Sequence, residues 1–63
     1  MKKKLNPDKR KIMAAEYYSL ALQYEKQHEY MKAYDYYQKS LKLNKDEEVT
    51  KAYLRLLSII GPL

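Results

Sequence analysis

The residues with the richest chemistry in this sequence are one histidine and eight tyrosines. His28 is flanked by Glu25 and Glu29, an imidazole and two carboxylates, the groups from which cation sites and proton relays are built. A metal site needs ligands that converge from several elements, and His28 falls at a predicted turn, where a lone imidazole is solvated. There is no cysteine, which removes thiolate nucleophiles and thiolate zinc sites. The single glycine stands at position 61, so no glycine-rich loop is available to cradle a phosphate. The expectation is a protein without catalysis, metal or cofactor.

The tyrosines and lysines allow a different chemistry. Lys2, Lys3, Lys4, Lys9, Arg10 and Lys11 could contact phosphates, and exposed tyrosines could stack on bases. The charge is unevenly placed. Residues 1–11 hold six Lys/Arg against one Asp, whereas residues 12–63 hold seven of each sign. The net charge of +5 therefore belongs to the lead-in, and the body is balanced. The tyrosines recur at helical core spacing, which suits rings buried with hydroxyls at the surface better than a stacking platform. Nucleic acid is thus a lesser expectation than protein.

With 63 residues, the chain is one domain near the lower limit for a self-supporting core. Below about 70–80 residues a core rarely supplies more than ~3–5 kcal/mol without staples. Stability must come from helix packing or from association with another surface. Met1-Lys2-Lys3-Lys4 resembles the start of a signal peptide, but polar residues follow it, and no run approaches the ~18 apolar residues of a membrane span. A cytoplasmic protein without a membrane span is expected.

These side chains must be positioned by helices. Asn6, Pro7 and Asp8 read as N-cap, first helical residue and first-turn acid. Tyr17, Leu20, Ala21 and Tyr24 form one apolar stripe, extended backwards by Ala14 and Met13. Ala15, Tyr18 and Leu22 form a second. A helix with two stripes wants two neighbours. A new register, Tyr30, Ala33, Tyr34, Tyr37 and Leu41, places a break at Gln27-His28-Glu29 by phase alone. Ala21 and Ala33 are the natural points of close approach. Asn44 and Glu47 have the spacing of a capping box, and Gly61-Pro62 closes a third helix. The expected fold is all-α: a lead-in at 1–5, then one domain over 6–63 with helices at about 7–27, 30–43 and 46–60. Tyr17, Leu20, Tyr24, Tyr30, Ala33, Tyr37 and Tyr53 are the expected core. Lys51, Arg55 and Ser58 make one narrow polar stripe on the third helix, whose remaining surface is too apolar for packing on one side.

Tyr17, Leu20, Ala21, Tyr24, Tyr30, Ala33 and Tyr37 resemble the tetratricopeptide repeat pattern. In its 34-residue frame the repeat runs from Ala14 to Glu47 and exits through Ser40-Leu41-Lys42-Leu43-Asn44. Ser40 stands where a second Ala is typical and Lys45 where the terminal Pro is typical. The resemblance implies a right-handed helical unit in which the first helix lines a concave face, here Ala15, Tyr18, Leu22, Glu25 and Lys26. Members that clamp chaperone carboxylates carry Lys and Asn where Tyr18 and Leu22 stand, so that ligand is not expected. Ala21-Leu22, Glu25, Tyr30, Ala33 and Tyr37 are also similar to the microtubule-interacting and trafficking domain, a three-helix bundle that binds helical tails of membrane-remodelling proteins. Its Tyr-Leu-x-Arg element lies farther downstream than Tyr53-Leu54-Arg55.

The functional expectation is a protein-interaction module that binds a protein or peptide or assembles with itself. Tyr18 and Leu22 are the expected contacts on one face. Leu54, Leu57 and Ile59 are the expected contacts on the third helix, which could also support a homo-oligomer.

Overall fold

Pro7, whose fixed φ suits a first helical turn, opens α1, which runs over Pro7–Lys26. Helix α2 follows at Tyr30–Leu43 and α3 at Glu47–Ile60, in a computed structural model that describes residues 7–61. The expected lead-in and the Asn6 cap lie outside the described residues. The architecture is all-α: α1 and α2 form an antiparallel hairpin, and α3 packs on α2.

The break between α1 and α2 has a specific cause. His28 adopts a left-handed conformation, φ 65°. Around it the Glu29 amide donates to the Tyr24 carbonyl at 2.9 Å and the His28 amide to that of Glu25 at 3.0 Å. These two bonds close the last turn of α1 in the manner of a Schellman motif, with His28 in the place glycine usually takes. At the far end of α3 glycine does take it: Gly61 has φ 86°, and its amide donates to the Leu57 carbonyl.

The entry into α3 corrects one expectation. Asn44 is the C-cap residue of α2, not the N-cap of α3. Asp46 caps α3, its carboxylate accepting from the Glu48 amide at 2.8 Å. A carboxylate at the positive end of the helix dipole serves this position well, and Asn44 is held back by its own amide bond to the Ser40 carbonyl.

The core is built from small residues around two large ones. Ala21, Ala33, Tyr37 and Leu56 are fully buried, with Val49 and Ala52 beside them. Ala21 and Ala33 let the hairpin helices approach, as their size demands. Tyr17, Leu20, Tyr24, Tyr30 and Tyr53 are only half-buried. A phenol can give its ring to the core while its hydroxyl stays wet. Ser40, in the place of the family's alanine, is completely buried and donates its hydroxyl to the Ala14 carbonyl at 2.7 Å. It therefore joins α2 to α1 by a hydrogen bond that alanine could not make. Arg10 ties the same end by donating to the Leu43 carbonyl at 3.2 Å and more loosely to that of Lys42, where a cation also meets the negative end of α2.

Candidate functional site

Helices α1 and α3 both pack on α2, and two pockets that each take residues from α1 and from the start or middle of α3 mark a trough between them. Its central tie is a trio of side chains, one from each helix. The fully buried Tyr37 ring sends its hydroxyl to Glu25 Oε1 at 2.7 Å. Arg55 donates to the same carboxylate, Nη2 to Oε1 at 3.0 Å and Nε to Oε2 at 3.4 Å. Burial alone would push the Glu25 carboxyl up, but the hydrogen bonds from Arg55 and Tyr37, with the Arg55 charge, outweigh it and hold the group below its ordinary value. The Tyr37 phenol is pushed well up, first by burial and then by the hydrogen bond it gives to Glu25. Every buried polar side-chain atom among the described residues is hydrogen-bonded.

Tyr18 and Leu22 are half-buried on the α1 wall of this trough. Tyr18 packs its ring 6.1 Å from that of Tyr37, centroid to centroid. It lines a pocket of about 430 Å3 with Lys11, Ala14, Ala15, Asn44, Lys45 and Val49. Leu22 lines a smaller one, about 240 Å3, with Glu25, Lys26 and Arg55. The two expected α1 contacts thus sit one turn apart, each opening on a pocket.

The three expected contacts on α3 do not share one face. Ile59 is exposed and lies one turn beyond Arg55, on the trough side. Leu57 is half-buried one turn beyond Tyr53, whose ring meets that of Tyr34 on α2. Leu54 lies beside it, 57% exposed. By helical spacing Leu54 lies opposite the buried Val49, Ala52 and Leu56 and faces solvent, whereas Leu57 lies on the Tyr53 side of α3. Between α2 and α3, Gln38, Leu41, Lys42, Lys45 and Tyr53 surround a hollow of about 290 Å3, and Gln38 donates to the hydroxyls of Tyr34 and Tyr53.

The flank of the hairpin opposite α3 is different in kind. Tyr36 stacks parallel to Tyr24, centroids 5.4 Å apart, and meets Tyr17 at 5.8 Å. Lys39 Nζ sits 5.0 Å from the Tyr36 ring centre, and Lys32 Nζ sits 5.4 Å from that of Tyr24. Each lysine is also ion-paired within its helix or cap, Lys39 with Asp35 and Lys32 with Glu29. The rings are covered by the protein's own cations.

The tetratricopeptide repeat family model matches residues 14–47, just over half of the 63 residues and the same frame that the aromatic and alanine spacing defines. The chain belongs to the tetratricopeptide repeat family. No curated protein and no solved structure gives a match. Membership sets aside the similarity to the microtubule-interacting and trafficking domain, whose second and third helices are longer than the 14 residues each has here. Tetratricopeptide units are in general protein-interaction modules, and membership supports that general role for this chain. It carries one full helix pair and α3, which covers the face that a lone pair would leave open. Among the described residues no group of His, Cys, Asp and Glu is placed to hold a metal ion, and no helix is long and apolar enough to cross a membrane.

The trio was not legible in the sequence. Glu25 reads as a concave-face residue and Arg55 as part of a solvated stripe, and nothing in their spacing pairs them. The usable signal was the frame itself, since a third helix laid parallel to α1 must bring some polar residue of α3 beside the polar end of the Tyr18–Leu22 stripe.

Proposed function

We propose that the trough between α1 and α3 binds a peptide segment of a partner protein, with Tyr18 and Leu22 as its apolar contacts. The observation that carries this reading is the placement of these two residues, half-buried but open to a pocket at each end of the trough. The Glu25–Arg55 pair supports it by fixing the spacing of the two walls, so that little order must be created on binding. Lys11 and Lys45 line one pocket with Asp46, whose carboxylate is engaged in capping α3, and Lys26 lines the other with the paired Glu25 and Arg55, so the lysines would favour acidic residues in the peptide. Peptide capture is preferred to end-on self-stacking because the hairpin flank opposite α3 is covered by Lys32 and Lys39. A cytoplasmic setting is part of the proposal.

Selection of a random-sequence peptide library on the whole chain tests it. Peptides enriched on the wild type should bind Tyr18→Ala or Leu22→Ala at least about tenfold more weakly. Failure to enrich any peptide, or enriched peptides indifferent to both substitutions, would overturn the proposal.

A further inference from the structure

We infer that the segment held in the trough has one required order: an acidic side chain in the pocket beside Tyr18 and an uncharged apolar one in the pocket beside Leu22. This rests on the trough reading above and adds to it the charge pattern and register of the peptide. The two pockets fix the direction of the walls. One takes Ala14, Ala15 and Tyr18 with Asp46 and Val49, the other Leu22, Glu25 and Lys26 with Arg55. Earlier residues of α1 thus meet earlier residues of α3, and later meet later. The two helices run the same way, and the trough has two unlike ends.

At the Tyr18 end the cations are left over. Lys11 on α1 and Lys45 in the α2–α3 connection line that pocket. Both are exposed, and among the described residues neither has an ion pair. The acid there, Asp46, is turned to the Glu48 amide at the start of α3, where the positive end of the helix dipole meets its charge. At the Leu22 end the cations are the engaged groups. Arg55 is paired with Glu25, and Lys26 stands in the last turn of α1, where the carbonyl end of the helix meets its charge. Asp8, one turn before Lys11, and Glu48, two turns before Arg55, are exposed acids that line neither pocket. An anionic side chain is therefore favoured between Lys11 and Lys45. Along the α1 axis Leu22 lies ~6 Å beyond Tyr18 and ~16 Å beyond Lys11, at about 1.5 Å per residue. An extended chain rises about 3.3 Å per residue, which sets the acidic and the apolar residue about two to five positions apart.

The test uses the whole chain and a library of random peptides blocked at both ends, so that every carboxylate belongs to a side chain. Peptides that bind the wild type but not Tyr18→Ala should carry an Asp or Glu about two to five residues from a large apolar residue. Replacing that acid by its amide should weaken binding about threefold or more, and by less at high salt. Lys11→Glu combined with Lys45→Glu should abolish the preference for acid and favour lysine at the same position. Lys32→Glu, on the opposite flank, should leave the preference unchanged. Circular dichroism checks that each variant keeps its helices. Tyr18-dependent peptides that lack the acid, or whose acid is indifferent to the double substitution, would overturn the order inferred here while the trough reading stands. Absence of any Tyr18-dependent peptide would overturn both.

Discussion

Arg55 and Glu25, thirty positions apart in the chain, meet through two nitrogens and two oxygens, the shorter contact being 3.0 Å. Glu25 is the better enclosed partner, its side chain 13% exposed against 54% for Arg55. The carboxylate also receives the Tyr37 hydroxyl, so its removal leaves a donor from the core without an acceptor. Glu25→Ala should therefore destabilise the fold by about 1–3 kcal/mol. Arg55→Ala removes only a partly solvated partner and should cost about 0–1 kcal/mol. Urea denaturation of the two variants gives the order, and an equal or reversed cost would show that the carboxylate is not the hub.

The same carboxylate fixes an acid dependence. Its folded-state pKa lies below the ordinary 4.5, so its contribution is fully present above the unfolded value and is lost as pH falls through the folded one. Wild type should lose more stability than Glu25→Gln between neutral pH and the acid range, and the two curves should converge at the acid end. Parallel curves would mean that Glu25 titrates alike in the folded and unfolded chains.

The turn offers a stabilising change. A left-handed backbone costs a residue with a side chain roughly 1–2 kcal/mol, which glycine avoids, although glycine also gains freedom in the unfolded chain. The His28 ring makes one edge contact with Tyr30, 5.8 Å between centroids, which would be lost. The net expectation for His28→Gly is a gain of about 0.5–1 kcal/mol, seen as a higher melting temperature. A decrease would show that the ring contact outweighs the backbone term.

Ser40 is the family departure with a measurable consequence. Ser40→Ala restores the usual residue of the repeat but deletes the 2.7 Å bond to the Ala14 carbonyl. The hydroxyl is fully buried, so the substitution should destabilise by about 0.5–1.5 kcal/mol, with the helical content unchanged. A stabilised variant would mean that the consensus alanine packs better than the hydrogen-bonded serine.

How far the sequence could be read follows from which forces are local. Helix type, the close approach of Ala21 and Ala33, and the repeat frame depend on spacing within a few turns, and all three are plain in the residues. The Asp46 cap was missed because Asn44 also has capping chemistry, and only the hydrogen bonding of α2's last turn removes it from competition. His28 as the helix stop gave no composition signal, since its left-handed backbone is imposed by the two helices closing on the turn. At the site, Tyr18 and Leu22 could be named from the stripe they share. The division of Leu54 and Leu57 from Ile59 could not, because a helix apolar nearly all round does not say which part of its circumference its neighbours take. The Glu25–Arg55 tie depends on how α3 docks, a long-range event.

Helix α3 is one wall of the trough. It packs along α2 but touches α1 only sparsely, chiefly through Arg55. Local opening of α3 is accordingly the cheapest partial unfolding available to the three-helix unit, and the trough loses one wall when it occurs. A peptide held in the proposed trough would suppress that opening. Its apparent affinity would then be lowered in proportion to how often α3 is undocked in the free protein.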